Sequence, residues 1–119
     1  SFASPVPRIR AHYDALVRAF RNLLLNAMDA AGPEGRVELS VSLEADSLRV
    51  VVRDNGKGIP EEALDQIWGP DFTTKSRGTG LGLPMVRQTI SIHNGKVDGR
   101  NHPDGGAVFS VELPLHGLQ

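Results

Sequence analysis

The chain has 119 residues, of which 39% are hydrophobic and 23% charged, with a formal net charge of -1. That balance is ordinary for a soluble globular domain and gives no footing for general nucleic-acid binding. With no cysteine there are no disulfides or thiolate metal sites, in keeping with a reducing, cytoplasmic setting, and no apolar run has the length of a membrane span.

At this length residues 1–119 read as a single domain, able to bury roughly two thirds of its unfolded surface. The chain opens on Ser1 without a signal-like segment and is read as a fragment of a longer protein. Ser1 to Pro7 is an extended lead-in, and Arg8 to His12 fits a short edge strand. From Tyr13 the period turns helical: Leu16, Phe20, Leu23, Ala27 and Ala30 share a face, and Gly32-Pro33 ends the helix. Arg18, Asn22, Asn26 and Asp29 form a second stripe, roughly 120° round. Asparagine is a poor helix former, so the pair Asn22 and Asn26 stands out from an ordinary solvated face.

Arg36 to Glu44 alternates, with Val37, Leu39, Val41 and Leu43 on one side of a half-buried strand. After a turn at Ala45-Asp46-Ser47, Leu48, Val50 and Val52 define a second strand and complete an antiparallel hairpin. Asp54 continues their inward parity. An inward carboxylate is costly unless partnered, yet Asp-Asn-Gly is also a strong turn signal, and parity does not decide between the two. Gly56 to Pro60 is a tight loop. A short helix follows from Pro60, with Glu61 and Glu62 in its first turn and Ile67-Trp68 as an apolar end. Trp68 to Gly82 has no period and reads as a mobile functional loop. A helix from about Gly80 to His93 would turn Leu81, Met85, Thr89 and Ile92 inward. Pro84 is tolerated there because it lies in the first turn. Lys96 to Arg100 is a strand, Pro103 to Gly106 a turn, and Ala107 to Leu113 a last strand with Ala107, Phe109, Val111 and Leu113 on one face. The expected class is α+β: a two-layer sandwich, its mixed and mostly antiparallel sheet covered on one face by about three helices.

The most informative stretch is Phe72-Thr73-Thr74-Lys75-Ser76-Arg77-Gly78-Thr79-Gly80-Leu81-Gly82-Leu83. Gly78, Gly80 and Gly82 alternate between a lysine and a helix start. Glycines there let the main chain approach a ligand closely, and the helix N-terminus favours an anion. The stretch reads as a phosphate cradle, with the spacing of neither a Walker A loop nor a dinucleotide fingerprint.

Four stretches in order resemble the boxes of the ATP-binding catalytic domain of sensor histidine kinases, in the superfamily shared with DNA gyrase, Hsp90-type chaperones and MutL-type repair proteins. Asn22-Leu23-Leu24-Leu25-Asn26-Ala27 is similar to the N box and Asp54-Asn55-Gly56-Lys57-Gly58-Ile59 to the G1 box. Phe72-Thr73-Thr74-Lys75 is similar to the end of the F box, and Gly78-Thr79-Gly80-Leu81-Gly82-Leu83 to the G2 box. The resemblance implies a Bergerat-type fold, ATP and Mg²⁺ as cofactors, and transfer of the γ-phosphoryl group to a histidine on a separate dimerisation domain. A response regulator would follow downstream. On the same resemblance Asn26 would ligate Mg²⁺ and Asp54 would accept from the adenine amino group. Gly56, Gly58 and Ile59 would approach the base, and Lys75 would lie by the polyphosphate. Phe72, Thr73, Thr74, Gly78, Thr79, Gly80, Leu81, Gly82 and Leu83 would shape the loop over the phosphates. The two-residue lid Ser76-Arg77 is similar to that of the nitrogen-regulation sensors. Asp71 stands where an aromatic is usual, and Asp29 where many relatives carry a phosphate-touching lysine.

Within the superfamily, an ATPase, a serine kinase and a regulatory nucleotide-binding domain are the alternatives. The first two would place a glutamate base at position 22, because water and serine must lose a proton. Asn22 cannot accept one, whereas an imidazole attacks through a lone pair it already has. A histidine acceptor is therefore favoured, and the regulatory reading stays open. His12, His93, His102 and His116 all lack the acidic neighbour of a phosphoacceptor histidine, and His93, at a helix end, is expected to be structural. The fragment is expected to be monomeric.

Overall fold

The computed structural model describes residues 13–69 and 82–115. The lead-in and edge strand expected before Tyr13, and most of the glycine-rich stretch, lie outside them. Helix α1 spans Tyr13–Ala31. Ala19, Leu23 and Ala27, at i, i+4 and i+8, are buried along it. The helix closes on Gly32, whose φ is 82° and whose N–H donates to the Met28 carbonyl at 3.1 Å.

Strands β1 (Val37–Glu44) and β2 (Ser47–Asp54) form the expected hairpin, with Val41 opposite Val50 and Val37 opposite Asp54. Strands β3 (Lys96–Asn101) and β4 (Ala107–Pro114) form a second one. The two join through β2 and β4, giving the order β1-β2-β4-β3 with antiparallel neighbours throughout. Antiparallel order gathers the end of β2, the end of β3 and the starts of β1 and β4 at one pole of the sheet.

Helix α2 spans Leu83–Ile92 and carries Pro84 in its first turn. It ends in a Schellman turn: Asn94, at φ 63°, donates to Ser91 O and Gly95 donates to Ile90 O, both at 2.9 Å. His93 is buried beside this turn, with its ring Nδ1–H on the Thr89 carbonyl at 2.8 Å. That is the structural role expected of it.

Both helices lie on the inner face. Leu23, Ile67, Val86, Ile90, Val52, Phe109, Val111 and Leu113 belong to one core. Each large side chain so buried contributes roughly 1.5–3 kcal/mol.

Three expectations need correction. The helix foreseen from Pro60 to Trp68 is only a 3-10 turn at Glu61–Ala63. Ala63 N–H bonds to Pro60 O and Gln66 N–H to Ala63 O, each at 2.8 Å, so the segment stays in i to i+3 bonding. It is too short and too acidic to present an apolar stripe, and Ile67 and Trp68 at its end anchor it to the core. Among the described residues, two α-helices therefore stand where about three were expected.

The inward row of α2 is Leu83, Val86, Thr89 and Ile90, while Ile92 is 60% exposed. Two apolar rows share Thr89 in that sequence, and the row that packs holds the branched Val86 and Ile90 against the core shared with α1. Finally, Leu39, Val41 and Leu43 on β1 are 54%, 59% and 63% exposed. They share the face of Val52, Val50 and Leu48, but α1 packs mainly over β2 and leaves β1 beyond its edge.

Candidate functional site

The site lies at the pole where β2, β3 and β4 bring their ends together. Asp54 closes β2 and is only 2% exposed. Its Oδ1 accepts the Gly56 N–H at 2.8 Å and the Ala107 N–H at 3.3 Å. Both sequence readings of this residue therefore hold. One oxygen caps the turn and ties it to β4, as Asp-Asn-Gly foretold, and the carboxylate still points inward as parity required. Both bonds fall on Oδ1, and a carboxylate has further lone pairs, on Oδ2, beyond those that Oδ1 uses.

The loop after Asp54 is fixed from three sides. Asn55 continues the hairpin: its N–H bonds to Arg36 O at 3.2 Å, and its Oδ1 accepts Arg36 N–H at 2.8 Å. Gly56 lies against the last turn of α1, where a Cβ would come 2.2 Å from Ala30 O. On the far side Gly106, at φ 86°, passes so close that a Cβ would stand 1.8 Å from the Asp54 carbonyl oxygen. No side chain fits between the β3–β4 turn and Asp54, and the β4 N–H that reaches Oδ1 depends on that approach.

A cavity of about 320 Å³ opens beside Asp54, within the size range of small-molecule sites. Asn26, Asp29 and Ala30 line it from α1, Lys57, Gly58, Ile59 and Pro60 from the loop, and Leu83 from α2. Ile67, Ala107 and Phe109 form its apolar part. Trp68 buttresses that wall: its ring meets Phe109 edge-on at 6.0 Å and 88°, and the Arg87 guanidinium lies 5.5 Å from its centroid. The residue taken as the start of a mobile loop is thus packed on the core.

Of the residues singled out in the sequence, Asn26, Asp54, Gly58, Ile59 and Leu83 line one cavity, although the chain separates Asn26 from Leu83 by more than fifty positions. Gly56 and Gly82 flank it without lining it. Asn22 sits one turn before Asn26, part-buried, and is not among the lining residues. Phe72, Thr73, Thr74, Lys75, Gly78, Thr79, Gly80 and Leu81 fall outside the described residues. Sequence reasoning missed Lys57, Ile67, Ala107 and Phe109 as wall residues. Phe109 and Ala107 were read as core by parity, and nothing local marks a core residue that also faces a ligand.

The family model for histidine kinase-, DNA gyrase B-, and HSP90-like ATPases matches residues 11–117. The chain is 42% identical over 113 residues to sensor histidine kinase ZraS of Klebsiella oxytoca, covering 94% of this chain and 24% of that protein. It therefore spans about a quarter of that relative's length. Among solved structures it is similar to the nucleotide-free catalytic domain of histidine kinase ThkA, with a TM-score of 0.82 and 35% identity over 95% of this chain and 74% of that one. It is also similar to ThkA in complex with the response regulator protein TrrA, with a TM-score of 0.78 and 31% identity over 97% and 33% of the two chains. Full-length ShkA in complex with AMPPNP gives a TM-score of 0.77 and 30% identity, over 93% of this chain and 24% of that one.

Proposed function

Because the chain belongs to the family of histidine kinase-, DNA gyrase B-, and HSP90-like ATPases, we propose that it binds Mg-ATP and donates the γ-phosphoryl group to a histidine on a separate dimerisation domain of a sensor kinase. The observation that carries the reading is Asp54: a buried carboxylate at a cavity wall, held by two backbone N–H groups on one oxygen. The other oxygen suits the adenine 6-amino group, and the apolar wall of Ile67, Ala107 and Phe109 suits a base. The AMPPNP bound to ShkA supports the choice of ATP.

Asn26 offers an amide oxygen from the α1 side of the same cavity. Asn26 would hold Mg²⁺ through that hard donor, and the ion would supply charge neutralisation for the transferring group. Lys75 and the glycines Gly78, Gly80 and Gly82 would act on the phosphates from the loop. Phosphoryl transfer is mostly positioning and charge neutralisation, and Asn22 supplies no base. A histidine acceptor needs none from this side, so any orienting acid belongs to the partner domain. The ThkA–TrrA complex supports a response regulator as the downstream partner.

Titration calorimetry tests the base pocket. A carboxylate facing the 6-oxo group of guanine is acceptor against acceptor in a desolvated site. ATP is expected to bind at least about a hundredfold more tightly than GTP. Asp54→Asn keeps an oxygen for Gly56 and Ala107 and turns an amide N–H toward the base, so most of that preference should vanish. Equal affinities in the wild-type chain would remove Asp54 from the role. With γ-labelled ATP the chain alone should stay unlabelled and turn over very slowly, and addition of the acceptor domain should give an acid-labile phosphohistidine. Rapid phosphate release by the chain alone would favour an ATPase instead.

A further inference from the structure

We infer that Asn101, at the end of β3, is a positioning residue for the base pocket. Its side-chain amide makes two bonds with one backbone residue of the loop 42 positions away. Oδ1 accepts the Ile59 N–H at 2.7 Å, and Nδ2 donates to the Ile59 carbonyl at 2.7 Å. A planar amide meeting a backbone N–H and C=O in this way imitates a neighbouring strand at a place where the sheet has none.

The remaining fixtures of the loop show why this matters. Asn55 and Gly56 are secured by Arg36 and by Asp54 Oδ1. Among the described residues, the hydrogen bonds that tie Gly58-Ile59 to the body of the protein are the two that Asn101 makes with Ile59. Gly58 is fitted to the same contact: its φ is 82°, and a Cβ there would come 2.8 Å from Asn101 Oδ1. Asn101 also lies opposite Ala107 in the β3–β4 register, and Ala107 N–H reaches Asp54 Oδ1. One strand pair thus holds both halves of the pocket, with Asp54 secured from β4 and Gly58-Ile59 from β3. Asn101 is not itself a cavity-lining residue, so it acts through the loop and not on the ligand.

The amide is specific for this task. Aspartate of the same size can accept from Ile59 N–H but sets a second oxygen against the Ile59 carbonyl. Glutamine is one methylene too long, and alanine makes neither bond. The inference rests on the ATP reading above, and its test separates the two. Mg-ATP and Mg-GTP affinities are measured by calorimetry on the wild-type chain, Asn101→Ala and Asn101→Asp, well below each melting temperature. The loss of two net hydrogen bonds is expected to weaken ATP binding by about tenfold or more. The ratio of ATP to GTP affinity should narrow, because Gly58-Ile59 and Asp54 no longer hold one geometry. Should Asn101→Ala fail to fold, Asn101→Asp, which keeps the size and one bond but sets an oxygen against the Ile59 carbonyl, is expected to shift the affinity and the ratio in the same directions. A lowered melting temperature with unchanged affinities and an unchanged ratio would overturn the assignment and leave Asn101 merely structural. A wild-type chain that binds neither nucleotide would overturn the ATP reading, and this inference with it.

Discussion

Strands β1 and β4 have the same alternating pattern and different fates. On β4, Ala107, Phe109, Val111 and Leu113 are all buried under the helices. On β1, Leu39, Val41 and Leu43 face the same side of the same sheet and are largely exposed. Strand β4 lies between β2 and β3, whereas β1 is an edge of the described sheet that α1 covers less than it covers β2. Alternation therefore reports which way side chains point. What covers them is decided by strand order and by helix count, and both are tertiary properties.

The sharpest break of this comparison is Leu113→Ala. Leu113 is fully enclosed, and truncation of a buried leucine costs about 2–5 kcal/mol from lost transfer energy plus a cavity. Urea unfolding should show the drop; a change below about 0.5 kcal/mol, the range of surface substitutions, would mean that β4 is no better covered than β1. The next effect separates site from scaffold on α1. Asn26→Ala should leave unfolding almost unchanged, since alanine is the better helix former. Outer-shell contacts alone alter metal affinity by about 10–100-fold, so removal of the proposed ligand should weaken Mg-dependent ATP binding at least as much. An affinity equal to wild type, with and without Mg²⁺, would take Asn26 out of the metal site. The smallest effect belongs to β1: Val41→Thr should move stability by no more than about 0.5 kcal/mol and leave nucleotide affinity as it was. A loss of several kcal/mol in the same urea measurement would mean that β1 is covered in solution.

The same division explains what the sequence could disclose. Helix α1, its Gly32 end and the strands of both hairpins were legible because each is written locally, in a period, a turn or a cap. Asp54 was legible by parity and by its turn, and both properties are present: the carboxylate is buried, and its Oδ1 accepts the Gly56 N–H. Asn101 was not legible. Its partner is 42 residues away and is a backbone group, which has no sequence of its own. The inward row of α2 was misread because two apolar rows run through Thr89 and only packing against α1 chooses between them. The stretch before Ile67 was misread as a helix because its acidic first turn is a helix-start signal, and the signal does not state how far the helix continues.

The antiparallel order has a mechanical consequence. The cavity sits at the pole shared by Asp54, Asn101 and Ala107, and α1 delivers its last turn, Ala30, to that pole. Tyr13 stands at the other end of α1, about 27 Å away at the rise of an α-helix. Strand β4 starts at the cavity and runs away from it, so Leu115 lies at the opposite pole, bonded to the β1–β2 turn through the Asp46 carbonyl at 2.7 Å. The described chain therefore enters and leaves on the side remote from the cavity. Substitutions at Tyr13 or Leu115 are therefore expected to leave the cavity's shape untouched.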